Sequence, residues 1–319
     1  MRTLLAAAAF LSAAALLHGA APPTVRVVVA QDGSGDYPTI QNAVDHALDR
    51  VTSGTWSRLI IEIQPGTYHE RVVVPQDRPR VTFRGTDART TIITFRTAAK
   101  DVGGTFFSAT VDVNGAAFEA ENVTFENSLG PGSQALAIAV HSDRAVFRKC
   151  RFLGYQDTLY AASGRQYYVD CYIAGAVDFI FGNAQAVFDD CEIHATANGY
   201  LTAESRTASD GPEGFVFLHS RLTADDGVTG VYLGRPWRLY SRVVYIDCRM
   251  GPQIRPEGWN NWNKPDAEKL AFYGEYGSQG PGANPEARVK WAKKLTEAEA
   301  KQFAPDVFLR GRDGWTPAK

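Results

Sequence analysis

A short phrase that returns six times along the chain constrains its fold more than any other feature. In each copy an aromatic residue or Val precedes a small anchor residue by several positions, and an apolar residue follows it. The copies are Phe118-Glu-Ala-Glu-Asn122-Val-Thr-Phe125, Val146-Phe-Arg-Lys-Cys150-Arg-Phe152, Tyr167-Tyr-Val-Asp-Cys171-Tyr-Ile173, Val187-Phe-Asp-Asp-Cys191-Glu-Ile193, Val216-Phe-Leu-His-Ser220-Arg-Leu222 and Val244-Tyr-Ile-Asp-Cys248-Arg-Met250. The anchors are spaced by 28, 21, 20, 29 and 28 residues. Strand-like alternation recurring at such a period is the signature of a solenoid, in which each repeat is one coil and buries itself on its neighbours. A β-sandwich is the rival reading, since it too is built from many short strands separated by turns.

Helical patterning is confined to the ends, where a β-solenoid must hide its exposed edges. In Thr39-Ile-Gln-Asn-Ala-Val-Asp-His-Ala-Leu48, residues Ile40, Ala43, Val44, Ala47 and Leu48 fall on one face, with Thr39 as N-cap. This predicts a helix capping the first coil. Thr296-Glu-Ala-Glu299 has capping-box spacing and predicts a second short helix through Phe303. No Pro-rich or low-complexity linker interrupts the repeats, so residues 23–319 read as a single domain.

Residues 1–22 have a different character. Met1-Arg2 leads an apolar stretch from Leu4 to Leu17, followed by small residues around Gly19 to Pro22, the pattern of a cleaved export signal. The stretch is shorter than the roughly 20 apolar residues that span a bilayer. A secreted or periplasmic protein without a membrane span is expected. Thirty-three Lys and Arg against thirty-five Asp and Glu give a formal charge of -2, which offers no basic excess for nucleic acid. A monomer is the expectation.

Two aspartates hold equivalent places in consecutive repeats. Cys150 is followed at +4 to +7 by Gly154-Tyr-Gln-Asp157, and Cys171 by Gly175-Ala-Val-Asp178. In a parallel solenoid such positions stack at about 4.8 Å. Like charges that close cannot comfortably both ionise, so one carboxyl should keep its proton near neutral pH. Gln156 adjoins Asp157, and Gln134 belongs to the preceding coil; a pair of neutral amide donors beside a carboxylate suits an oxyanion hole for acyl transfer. Arg235, in Leu233-Gly-Arg-Pro-Trp237, can hold one carboxylate bidentately. Tyr160 and Phe181 each lie three residues beyond their Asp and should share a face suited to a sugar. Each feature has a plainer reading: Asp as a turn residue, the amides as backbone partners, and Arg235 and Trp237 as a solvated charge and a core aromatic.

At these residues the chain resembles the pectin methylesterases. The matching phrases include Gly66-Thr-Tyr-His-Glu70, Thr105-Phe-Phe-Ser-Ala-Thr110, Gln134-Ala-Leu-Ala-Ile138, Gly154-Tyr-Gln-Asp-Thr-Leu-Tyr160, Asp178-Phe-Ile-Phe-Gly182, Leu233-Gly-Arg-Pro-Trp237, Gly258-Trp-Asn-Asn-Trp262, Phe272-Tyr-Gly-Glu-Tyr276 and Arg288-Val-Lys-Trp291. The resemblance runs from about residue 25 to the end. It implies a right-handed parallel β-helix, all-β apart from short capping helices. It further implies hydrolysis of the C6 methyl ester of galacturonate in pectin, without metal or organic cofactor. On the family's pattern Asp178 matches the nucleophile, Asp157 the acid/base, Gln134 and Gln156 the oxyanion hole, and Arg235 the residue that orients Asp178. Trp237, Tyr160, Phe181, Thr105 and Trp262 match substrate contacts. The Ala-rich N-terminus, and the absence of an Arg after the Gln134 motif and of a plant-type pro-region, suggest a bacterial member.

Four cysteines in an exported protein allow three complete pairings. Only repeat-equivalent neighbours can come within bridging distance. Cys171 with Cys191 is the expected disulfide, since stacking predicts a Cα gap near 5 Å and bacterial relatives pair the corresponding positions; Cys150 and Cys248 read as small buried residues. The histidines at 46, 69, 141, 194 and 219 show no metal-ligand spacing, and serine-hydrolase and metalloprotease motifs are absent. Two rivals to an esterase remain. Carboxyls about 5 Å apart also fit a retaining glycosidase, although that chemistry needs no carbonyl oxyanion hole. A β-helix that binds pectin without turnover would keep the same aromatics.

Overall fold

The computed structural model describes residues 22–51 and 54–318. The export signal expected at 1–22 lies, but for Pro22, outside the described residues. The repeats stack in register, and every pairing between their strands is parallel. Ala145–Arg148 pairs with Arg165–Val169, which pairs with Gln185–Asp189, then Gly214–Leu218, Arg242–Ile246 and Phe272–Tyr276. These strands belong to an 11-stranded sheet whose spatial order follows the chain. The second halves of the repeats build a 13-stranded sheet that wraps a corner. It does so because Tyr172–Gly182 pairs with Arg151–Leu153 through its first half and with Leu159–Ala161 through its second. Three walls closing on one core make a parallel β-helix, and the sandwich alternative is excluded by the absence of antiparallel pairing among the described strands.

The repeated phrase has a structural cause. Lys149, Asp170, Asp190, His219 and Asp247, each just before its anchor, all adopt left-handed φ between 51° and 53°. The chain therefore turns a corner there, and the next residue drops into the core. Cys150, Cys171, Cys191, Ser220 and Cys248 are all buried as consecutive rungs. The first repeat departs from its expected alignment by one residue. Asn122 is the left-handed corner (φ 57°) and Val123 the buried rung, as the Arg151 N–H bond to the Val123 carbonyl requires. Asn tolerates that conformation better than most residues, which makes it a corner by preference.

Inside the coil the aromatics of the last five phrases stack on one another. Phe147, Tyr168, Phe188, Phe217 and Tyr245 form one ladder with ring centroids 4.5 to 4.8 Å apart and planes within 12°. That spacing is set by the backbone hydrogen bonds between coils, so register and core packing reinforce one another.

The cap of the first coil is the helix Ile40–His46. Thr39 Oγ1 accepts from the Asn42 N–H at 3.2 Å, and the expected apolar face is buried. The Glu70 carboxylate receives the Ile40 and Gln41 N–H groups at 2.9 and 3.0 Å, giving the helix N-terminus the negative charge it favours. At the other end the capping box of Thr296 and Glu299 forms as expected on the helix Glu297–Ala300. That helix does not cover the last coil. With Phe303, Phe308 and Leu309 it packs on Val146, Val187, Val216 and Val244, the outward side chains of the 11-stranded wall. Those valines would otherwise form an exposed apolar stripe.

The expected Cys171–Cys191 disulfide is not formed: Cys150, Cys171, Cys191 and Cys248 are all free and buried. In-register parallel stacking points neighbouring Cβ atoms the same way at about 4.8 Å, whereas a bridge needs them converging to roughly 3.8 Å. The thiols instead lie against main-chain carbonyls, Cys171 Sγ on Val169 at 3.3 Å and Cys191 Sγ on Asp189 at 3.5 Å.

The ladder makes a stability prediction. Phe188 is fully buried between two stacked rings, so Phe188→Ala should cost about 3–5 kcal/mol, read as a lower denaturation midpoint in urea.

Candidate active site

The second corner of the central coils gathers the expected residues. Gln156 bridges to Val177, and the Asp157 N–H donates to the Val177 carbonyl at 3.1 Å, so Asp157 and Asp178 are equivalent rungs of neighbouring coils. Both are left-handed, with φ of 63° and 51°. Three residues further along the same coils the register holds: Tyr160 pairs with Phe181, and their rings stack at 4.7 Å. In the coil before, the Ala135 N–H donates to the Gln156 carbonyl at 3.1 Å, which sets Gln134 beside Gln156. Neither amide side chain has a hydrogen-bond partner among the described residues, so their donors remain available.

Arg235 arrives from two coils beyond Asp178, on the segment Leu233–Trp237, which follows the strand Val231–Tyr232 paired with the intervening strand Glu192–Glu204. Its N–H bonds the Thr202 carbonyl at 3.0 Å, and the Trp237 N–H bonds the Glu204 carbonyl at 3.1 Å. Gly234 permits this approach, since a Cβ there would sit 2.1 Å from Thr202 Oγ1. The guanidinium then grips Asp178 bidentately, Nε to Oδ1 at 2.8 Å and Nη2 to Oδ2 at 2.6 Å.

All five residues open onto one cleft of about 270 Å³. Thr105, Phe181, Trp237 and Trp262 line it too, while Tyr160 stands behind, stacked on Phe181 and in tilted contact with Phe106 at 5.0 Å. Trp262 proves to be more than a lining residue, because the Arg235 guanidinium lies 3.8 Å from its ring centroid. Sequence reasoning missed Phe106, Ala203, Tyr200 and Lys264. Phe106 follows Thr105 directly and is half exposed at the cleft rim. Lys264 bonds the carbonyls of Pro236 and Trp237 at 2.8 and 2.9 Å, tying the Trp262 turn to the Arg235 segment.

The two carboxyls differ in electrostatics. Burial raises the pKa of Asp157, and the Asp178 charge beside it raises it further, to about 8, with Arg235 opposing. Asp178 is also raised by burial, but the Arg235 hydrogen bonds and charge pull it back. Asp157 therefore holds the proton of the pair and Asp178 the charge. Away from the cleft, Asp189, Asp190 and His219 cluster on the 11-stranded wall, but the Asp189 carboxylate is occupied by the Tyr167 hydroxyl at 2.8 Å and His219 Nδ1 at 2.9 Å.

Residues 26–312 match the model of the Pectinesterase family. The chain belongs to the pectinesterase family. It is 42% identical over 298 residues to Pectinesterase 31 of Arabidopsis thaliana, covering 90% of this chain and 93% of that protein. The solved pectin methylesterase from carrot superposes with a TM-score of 0.85 at 39% identity, covering 92% of this chain and 97% of that one. A pectin methylesterase solved in complex with a hexasaccharide superposes with a TM-score of 0.78 at 28% identity, covering 92% and 98%. As a pectinesterase the chain is an enzyme, and the expected bacterial type rests on its N-terminus and motif details alone.

Replacing the charged partner tests the coupling of the carboxyls. Asp178→Asn removes the like charge while leaving burial and Arg235, so the Asp157 pKa should fall below about 8. Carboxyl ¹³C NMR of labelled protein reads this directly; an unchanged titration would show that the two groups do not interact.

Proposed function

We propose that the cleft hydrolyses the C6 methyl ester of galacturonate units in pectin through an acyl-enzyme on Asp178. The observation that carries this reading is a buried, Arg-paired carboxylate beside a proton-holding carboxyl, with two unpartnered amides in the same cleft. An Asp178 oxygen attacks the ester carbonyl carbon. The negative charge passes to the carbonyl oxygen, where the Gln134 and Gln156 amides donate to it. Collapse of this adduct breaks the bond to the methoxy oxygen as Asp157 gives that oxygen its proton, releasing methanol. Water then attacks the acyl carbon and yields a proton to Asp157. The second collapse frees the Asp178 carboxylate and the galacturonic acid, which loses its remaining proton to solvent.

No step calls for a metal or organic cofactor, and the aromatics Trp237, Phe181, Tyr160 and Trp262 with Thr105 supply an apolar wall for sugar rings and methyl esters. The substrate-bound relative, which holds a hexasaccharide, supports a polysaccharide partner. The amides argue against a glycosidase, in which no carbonyl oxyanion forms. Residues 1–22 serve, on this reading, as an export signal, and the mature domain from 23 onward works as a secreted or periplasmic monomer. Among the described residues no helix is long and apolar enough to cross a membrane.

Methylated pectin incubated with the protein should release methanol and produce no new reducing ends. Asp178→Ala should lower kcat by roughly 10⁴-fold, and methanol release at the wild-type rate would refute the nucleophile assignment. The pH profile follows from the raised pKa of Asp157. As pH climbs through about 8 the group loses the proton that methanol needs, so kcat should fall on the alkaline side. Asp157→Asn, which cannot give up or take that proton, should cost about 10²–10⁴-fold and abolish the alkaline limb.

A further inference from the structure

The two bonds to Asp178 use the edge of the Arg235 guanidinium, and what touches its faces is a separate matter. Its central carbon lies 3.9 Å from the ring centroid of Tyr200 and 3.8 Å from that of Trp262. We propose that Tyr200 is a positioning residue for ester hydrolysis, clamping Arg235 with Trp262 so that the guanidinium stays aimed at Asp178. This deepens the function proposed above and rests on Asp178 being the nucleophile.

Both rings are themselves held. Tyr200 lies in the strand Glu192–Glu204 and pairs with Val177, the residue before Asp178, so its place is fixed relative to the nucleophile. Its ring stacks on Tyr232 at 5.3 Å with planes 10° apart, and the Arg255 guanidinium lies 4.9 Å from the Tyr232 ring. Trp262 is set by a left-handed turn (φ 54°) whose N–H bonds Asn260 Oδ1 at 2.7 Å. The Lys264 amine lies 4.4 Å from the same indole. A guanidinium flanked by rings cannot rotate off its carboxylate and is shielded from water on its faces, which strengthens its pull on Asp178. The Tyr200 hydroxyl has no hydrogen-bond partner among the described residues, so the ring is the working part.

The consequence is specific to the ionisation of Asp178, which is faced by Asp157, Arg235 and Lys264. A looser Arg235 holds the carboxylate less well, its pKa rises, and the acid limb of kcat moves to higher pH. The experiment compares Tyr200→Leu and Tyr200→Phe in the full-length enzyme, measuring methanol release from methylated pectin across pH. The leucine variant should lose about tenfold in kcat, with KM within about twofold, and its acid limb should shift up by about half a unit or more. The phenylalanine variant should restore the wild-type limb. A leucine variant with wild-type kcat and limb, or equal losses in both variants, overturns the proposal. Should the leucine variant fail to fold, Trp262→Leu against Trp262→Phe decides on the same acid limb: a shift with Leu alone supports the clamp, and no shift overturns it. Asp178→Ala run alongside separates the two claims. Methanol release at the wild-type rate there sinks the nucleophile reading itself, whereas a roughly 10⁴-fold loss in Asp178→Ala with an unshifted Tyr200→Leu sinks only the clamp.

Discussion

Parallel pairing in register is the constraint from which the rest follows. Each coil is bonded to the next residue for residue, so whatever side chain one repeat carries at a given rung meets its counterpart about 4.8 Å away. In the interior this produces the ladder from Phe147 to Tyr245, whose ring spacing copies the strand spacing. At the cleft corner the same geometry sets Asp157 against Asp178 and Tyr160 against Phe181. A chain that could slip by one residue would lose core and active site together.

Two carboxyls held that close are electrostatically unequal because only one has a cation. Arg235 supplies a bidentate partner to Asp178, and Asp157, buried like it but with no cation bonded to it, is the cheaper of the two to leave neutral. The division into a charged and a proton-holding carboxyl therefore needs no difference in residue type. It comes from which rung the Leu233–Trp237 segment reaches, and that reach depends on Gly234 lying flat against Thr202.

Much of this was legible in the sequence because the repeat is a direct image of the coil. Equal offsets from Cys150 and Cys171 placed the aspartates correctly, the repeat put Gln134 and Gln156 beside them, and the chemistry of a guanidinium together with the family resemblance pointed to Arg235. The alignment failed where the period changes. Asn122 looked like an anchor but is a corner, since a small polar residue and a buried rung share the same position in the phrase. Tyr200 was invisible for a related reason: its coil swells between the pairs Gly175/Ala195 and Val177/Tyr200, the offset growing from 20 to 23 residues. No count from Cys191 reveals that Tyr200 stands next to the rung of Asp178. The disulfide expectation failed on side-chain direction, because stacked cysteines run parallel and their Cβ atoms do not converge to bridging distance. The C-terminal helix was placed correctly in sequence and wrongly in space; what it covers depends on the outward valines of the 11-stranded wall.

The central claim is that two aspartates stacked in register, with Arg235 on only one of them, leave Asp157 holding the proton and Asp178 the charge. Neutron diffraction from deuterium-exchanged crystals of the unliganded protein near pH 7 tests it most directly. The account predicts one deuteron on a carboxyl oxygen of Asp157 and none on Asp178. A deuteron on Asp178, or two bare carboxylates, would contradict it.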